Sequence, residues 1–160
     1  MHENKLVIDK LTIDDDHFAH EQRVPLECVF IASAGLFAKR STCLRKQVGC
    51  VIVIDGRIVS TGYSGSLPGE PHCINTGCEI GLDGGCVRTV HAEANAILFA
   101  GRYNVSLIGS TLYTTLSPCK ACSELIILAG IRTVIYRELY RIDCTEFLVK
   151  KGVLCRQHKH

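Results

Sequence analysis

Little in this sequence favours a polymer or a membrane as partner. The chain has no tryptophan, and with five tyrosines and five phenylalanines it is poor in aromatic residues. Its formal net charge is only +2. Proteins that grip single-stranded nucleic acid line a basic groove with aromatic rings on which bases stack. Neither half of that pattern is present, so no polymeric nucleic acid is expected as partner. No apolar run approaches the roughly 20 residues that cross a bilayer, and Met1-His2-Glu3-Asn4-Lys5 lacks the basic-then-apolar form of a secretory leader. The expectation is a cytoplasmic protein without membrane contact. At 160 residues, 47% hydrophobic and 21% charged, the chain has the size and balance of one ordinary globular domain with a real core.

Cysteine, by contrast, is abundant, with ten residues. Without an export signal these read as free thiols or metal thiolates rather than disulfides. Two stretches concentrate the chemistry. His91-Ala92-Glu93-Ala94-Asn95-Ala96-Ile97-Leu98 opens an apolar helix with an imidazole and a carboxylate two residues apart, and Ser117-Pro118-Cys119-Lys120-Ala121-Cys122 opens another. One His and two Cys supply three ligands of a tetrahedral zinc and leave the fourth position to water, on which Glu93 can act without being a ligand. A lone Cys-x-x-Cys is as often a redox pair or half of a structural zinc site. A closed structural site needs a fourth protein ligand, however, and has no use for Glu93.

Along the chain, residues 1–24 are polar and acidic, with Asp14-Asp15-Asp16, and read as an N-terminal arm or tail, either ordered by an oligomer contact or disordered. The domain proper is expected over residues 25–160. The pattern predicts a helix from Pro25 to about Arg40, a strand Val48–Ile54, an Asp55-Gly56 hairpin turn and a return strand Arg57–Tyr63. Residues 64–88 show no periodicity. A loop this long is disordered or held by something. Cys73, Cys78 and Cys86 within it, with Cys43 before the first strand, would close a second, structural zinc site; scattered free thiols, or His72 as one ligand, are the alternatives. Further on the pattern predicts helices from His91 to Gly101, from Cys119 to Ala129 and from Asp143 to Lys151, with strands Ser110–Thr115, Thr133–Tyr136 and Val153–Cys155 between and after them. That alternation implies an α/β fold with a mixed sheet of about five strands and helices on both faces.

From about Pro25 to Leu154 the chain resembles the deoxycytidylate deaminases, the dCMP-specific branch of the cytidine deaminase superfamily. The resemblance rests on the His91-Ala92-Glu93 and Pro118-Cys119-Lys120-Ala121-Cys122 pair and on Ser41-Thr42-Cys43-Leu44-Arg45-Lys46-Gln47-Val48-Gly49. It is extended by Ser60-Thr61-Gly62-Tyr63, Pro71-His72-Cys73, Gly77-Cys78, Cys86-Val87-Arg88-Thr89-Val90 and Val134-Ile135-Tyr136-Arg137-Glu138-Leu139-Tyr140. His-x-Glu followed by Pro-Cys-x-x-Cys is the known signature of zinc nucleobase deaminases. The cysteine loop and the last segment set this branch apart from tRNA adenosine deaminases and free cytosine deaminases.

The resemblance implies a three-layer α/β/α cytidine-deaminase-like fold and hydrolysis of dCMP to dUMP and ammonia by a zinc-bound hydroxide, supplying dUMP for thymidylate synthesis. It assigns the catalytic zinc to His91, Cys119 and Cys122, the proton transfers to Glu93, and a second zinc to Cys43, Cys73, Cys78 and Cys86. Tyr140 would lie near substrate, and Arg45 and Lys46 would meet the phosphate or else be solvated surface residues. Arg102 reads as an interface or effector contact in a homo-oligomer, a hexamer above all, or as an ordinary cation at a helix C-terminus. dCTP and dTTP are the effectors the family implies. Two positions depart from its pattern: Ser64 replaces the Asn expected to meet the sugar hydroxyl, and Cys50 replaces an Ala expected near the pyrimidine. Deamination of CMP or a 5-substituted dCMP, nucleic-acid editing, and a non-catalytic zinc- or nucleotide-binding assembly module are the competing readings.

Overall fold

Helix and strand alternate after an opening hairpin. In the structure, a computed structural model that describes residues 23–159 apart from Asp83 and Ile142, the order is α1 (Leu26–Ala38), β1 (Gly49–Ile54), β2 (Arg57–Tyr63), β3 (Gly65–Ser66), α2 (Cys73–Thr76), β4 (Thr89–Val90), α3 (Ala92–Arg102), β5 (Thr111–Leu116), α4 (Lys120–Leu128), β6 (Thr133–Glu138), α5 (Thr145–Lys150) and β7 (Leu154–Gln157). The arm expected over residues 1–24 lies, apart from Arg23 and Val24, outside the described residues.

The main sheet has five strands in the order β2-β1-β5-β6-β7. β1 pairs antiparallel with β2 and with β5, whereas β5, β6 and β7 run parallel, so the sheet is mixed. The hairpin turns at Asp55 (φ 47°) and Gly56 (φ 72°), two left-handed residues in succession, the backbone that matches the right-handed twist of the flanking strands.

β1 reads as an unbroken apolar run because both its faces are covered. Cys50 and Ile52 join Leu112, Val134 and Tyr136 in packing against Ala92, Ala96 and Ala100 of α3, Ile126 of α4 and Leu148 of α5. Val51, Val53, Tyr113 and Ile135, on the opposite face, pack against Phe30 and Ile31 of α1. The result is three layers, with α1 alone on one side and α3, α4 and α5 on the other. The alanines at every fourth residue give α3 a flat, fully buried stripe that lets it lie close to the sheet.

Several boundaries differ from the sequence expectation, each for a local reason. α1 stops two residues early because Lys39, Arg40 and Ser41 donate their N–H groups to carbonyls three residues back, a tighter turn than the α-helix. The stretch 64–88 is not featureless: β3 pairs with β4, α2 begins at Cys73, and Ile80 bridges to Cys86. Such fragments are too short to leave a periodic signal. The last strand begins one residue late, since Val153 is buried in the core and pairing with β6 starts at Leu154. The cap of α5 is Cys144 and not Asp143, which stands one residue earlier and turns the chain into the helix as its Oδ1 accepts the Thr145 N–H at 2.8 Å.

Candidate active site

The two sequence motifs meet at helix N-termini. His91 is the residue before α3 and Cys119 the residue before α4, both with extended backbone, and Cys122 follows one turn into α4. The unpaired amides of a first helical turn stabilise negative charge beside them. The Cys122 N–H accordingly donates to the Cys119 sulfur.

His91 Nδ1 lies 3.4 Å from Cys119 Sγ and 3.4 Å from Cys122 Sγ, and the three donor atoms are mutually within 4.8 Å. A tetrahedral zinc with ordinary Zn–N and Zn–S bonds has N···S edges of about 3.5 Å. The donor set therefore fits zinc in both chemistry and spacing. Electrostatics agree. A hydrogen bond from Cys122, opposed by burial, holds the Cys119 thiol down at about 4, while that same bond and burial push Cys122 far up. The bond to Cys119 raises His91, and burial raises Glu93, whose side chain belongs to a residue only 4% exposed. Two sulfurs and a carboxylate crowded into a half-buried corner repel one another once ionised, and a divalent cation removes that repulsion.

A pocket of about 280 Å³ opens onto this corner, near the lower end of small-ligand cavities. Arg45, Lys46, Ser64, His91, Glu93, Cys119 and Tyr140, all singled out in the sequence, line it together. Arg45 donates through Nη1 to the Gly84 carbonyl, tying the segment before β1 to the cysteine loop. The backbone of Tyr140 is fixed by its N–H on Ser117 Oγ at 2.8 Å. Arg102 is exposed at the far end of α3 and does not line the pocket.

Ser64 and Cys50 sit differently from what the resemblance implied. Ser64 borders the pocket but is 3% exposed, and its hydroxyl is bonded to Lys46, Val48 and Ser41 rather than free for a sugar. Cys50 lies beneath α3, fully buried, its sulfur 3.2 Å from the Ala92 carbonyl; it does not line the pocket and has no path to a pyrimidine there. Arg141, a pocket-lining cation beside Tyr140, was missed. Its only sequence signal was its place after the segment ending Leu139-Tyr140.

Three of the four remaining candidate ligands also meet. The sulfurs of Cys73, Cys78 and Cys86 lie within 4.8 Å of one another, with Cys73 and Cys86 3.6 Å apart, close to the roughly 3.8 Å edge of a zinc–thiolate tetrahedron. Burial tends to raise Cys86, but the Thr89 hydroxyl and nearby amides bring it down to about 7. Cys43 stands outside that mutual distance and lines the active-site pocket, although the neighbouring Leu44 N–H donates to Cys78. His72 is exposed, just before α2, and is not part of the group.

Fold and site together define a class: an α/β protein whose three-ligand metal centre, with an adjacent buried carboxylate, opens onto a small-molecule pocket. Residues 26–138 match the family model described as the cytidine and deoxycytidylate deaminase zinc-binding region, and the chain belongs to that family. ComE operon protein 2 of Bacillus subtilis (strain 168) is 44% identical over 138 residues, covering 85% of this chain and 72% of that protein. Deoxycytidylate deaminase of Saccharomyces cerevisiae is 38% identical over 164 residues, 94% of this chain, which spans 51% of the yeast protein's length. The crystal structure of dCMP deaminase from cyanophage S-TIM5 in complex with dCMP and dUMP superimposes with a TM-score of 0.76 at 33% identity, covering 86% of this chain and all (100%) of that one.

Proposed function

We propose that this chain hydrolyses the 4-amino group of dCMP, yielding dUMP and ammonia and so supplying dUMP for thymidylate synthesis. The observation that carries the reading is the buried Glu93 carboxyl beside the His91, Cys119 and Cys122 donor set, in one pocket with the cations Arg45, Lys46 and Arg141. Relatives that are deoxycytidylate deaminases, and the likeness to an enzyme crystallised with dCMP and dUMP, support the nucleotide.

Zinc held by His91 Nδ1 and the two sulfurs would lower the pKa of a water towards about 7 and make it a nucleophile. Glu93 takes a proton from that water as its oxygen adds to C4 of the cytosine, and delivers the proton to N3. It then moves the second proton to the departing amine, so ammonia leaves and the oxygen remains as the 4-carbonyl. One carboxylate thus serves first as base and then as acid. Burial favours this, because a shielded carboxyl does not exchange its proton with bulk water between the two transfers. Tyr140 and the cations of the pocket are assigned to the sugar and phosphate.

A second, structural zinc on Cys73, Cys78 and Cys86, with Cys43 as fourth ligand, belongs to the same reading. The Leu44 N–H on Cys78 supports it by laying the Cys43 segment against the cluster. We also infer a cytoplasmic homo-oligomer, a hexamer above all, with dCTP and dTTP as effectors and Arg102 at an interface. Leu98, Phe99 and Tyr103, which are 66%, 48% and 61% exposed around Arg102, support such a contact. The ten free thiols suit a reducing compartment.

The test is ammonia release and uracil-nucleotide formation from dCMP, CMP and 5-methyl-dCMP, with and without dCTP or dTTP, alongside zinc per chain. Turnover of dCMP with two zincs per chain is expected. Zinc binding without turnover of any of them would make the domain a binding module.

A further inference from the structure

Ser64 stands where the family resemblance expects a direct contact to the sugar, yet its hydroxyl is buried and bonded to its own neighbours. A hydroxyl has one hydrogen and two lone pairs. The Lys46 carbonyl takes the hydrogen at 2.9 Å and the Val48 N–H fills one lone pair at 3.0 Å, while the Ser41 oxygen packs 2.7 Å from that of Ser64, a residue only 3% exposed. The backbone of Ser64 is engaged as fully: its N–H donates to the Val48 carbonyl at 2.8 Å, and its carbonyl accepts from the Thr42 N–H at 3.2 Å and the Ser41 hydroxyl at 2.7 Å. Both ends of the segment from Ser41 to Val48 are thus fastened to a single residue.

What lies between those ends is Arg45 and Lys46, the two cations of that segment that line the pocket. Arg45 is occupied with the Gly84 carbonyl. Lys46 has its carbonyl held by Ser64, and the residue borders the pocket. We propose that Ser64 is a positioning residue that acts through Lys46, fixing the Ser41–Val48 segment so that the ammonium meets the 5′-phosphate, and that the preference for nucleotide over nucleoside depends on it. A long lysine side chain loses much rotamer freedom when it binds an anion. A rigid backbone beneath it keeps that loss from growing.

The inference rests on the nucleotide reading above, and its test separates the two. Zinc-loaded full-length protein is assayed for dCMP turnover, and the inhibition constants of dUMP and deoxyuridine are measured for the wild type, Ser64→Ala, Lys46→Ala and the double variant, with zinc content and Tm for each. Ser64→Ala should weaken dUMP about tenfold more than deoxyuridine, the size of one impaired charge-assisted hydrogen bond. In the Lys46→Ala background it should add less than about twofold. Equal loss of dUMP and deoxyuridine would make Ser64 a sugar contact and overturn the proposal, as would a full tenfold effect without Lys46. If Ser64→Ala fails to hold zinc, Ser41→Ala, which removes one arm of the fastening, replaces it and is expected to shift the dUMP to deoxyuridine ratio about threefold; an unchanged ratio refutes the proposal. A wild type that binds neither dUMP nor dCMP overturns the nucleotide reading and the inference with it.

Discussion

A single added methyl group on β2 should disable the site without touching any of its side chains. A Cβ on Gly62 would stand 2.2 Å from the Ala92 carbonyl oxygen and 2.7 Å from the Ala96 N, both backbone atoms of α3. Ordinary carbon–oxygen contact begins at about 3.2–3.4 Å, so the first turn of α3 must retreat by about 1 Å. Ala92 is the residue between His91 and Glu93, and the retreat carries the imidazole and the carboxyl away from Cys119 and Cys122, which belong to a different helix. Misplacement of a reacting group by about 1 Å costs on the order of 10²-fold in rate. Overpacking of a buried helix–sheet contact costs about 1–3 kcal/mol of stability, or about 2–12 °C in Tm for a domain of this size. Gly62→Ala should therefore remain folded while kcat/KM for dCMP falls about a hundredfold, with the loss in kcat and weaker retention of zinc against a chelator. A variant within threefold of wild type in kcat/KM would show that α3 does not need this close approach, and would refute the geometric argument for the site.

Glu93→Gln keeps the shape of the buried side chain but cannot move protons. Because the group is assigned to two transfers, kcat should fall by at least about 10⁴-fold with zinc content unchanged; substantial remaining turnover removes Glu93 from the role. Cys73→Ala should drop metal content by one zinc per chain and lower Tm, while His91→Ala should drop it by one and abolish turnover, as read by metal analysis and ammonia release. Acid dependence has a separate source at the other face. Glu27 is bound bidentately by Arg156 at 2.9 and 2.6 Å and by His158 at 2.8 Å, and these contacts, led by Arg156, hold its carboxyl below the ordinary 4.5. A depressed folded-state pKa stabilises above the unfolded value and is lost as pH falls through the folded one. Glu27→Gln should thus lower Tm by about 2–4 °C near pH 7, with the gap from wild type closing as the pH drops below about 4 in thermal melts; a gap that persists there excludes the ion pair as its cause.

Elements that carry their own periodicity or punctuation were readable in the sequence. The Asp55-Gly56 turn, the buried run of β1 and the Gly130 stop after α4 depend on residues within a few positions of one another, and the structure places them as read. The catalytic donor set was readable for a different reason. Zinc dictates residue types at fixed local spacing, and the two halves then had to converge. The residues misread were those whose role is set by partners far away in sequence. Ser64 faced the same pocket as expected, but only the approach of Ser41, Lys46 and Val48 decides that its hydroxyl is buried and bonded within the protein. Cys50 looked like a pocket residue until α3 closed over it. The short pieces between residues 64 and 88 left no pattern, because cysteines and single bridges hold them and no amphipathic face is involved.

The sheet explains why the site lies where it does. β1 and β5 are antiparallel, so the start of β1 and the end of β5 share one edge, as the Gly49 N–H on Thr115 Oγ1 marks. From β5 onward the strands run parallel, and the carboxyl ends of β5 and β6 open onto that same edge. Strand carboxyl ends beside a reversal of sheet direction leave a crevice that flanking helices enter by their N-termini. Here the end of β5 feeds Cys119 and α4, the end of β6 feeds Tyr140 and Arg141, the start of β1 is preceded by Arg45 and Lys46, and β4 delivers His91 and α3. The residues assigned to metal, proton transfer and phosphate thus come from four separate connections converging on one edge. The helix N-termini bring unpaired amides to the point where negative charge collects.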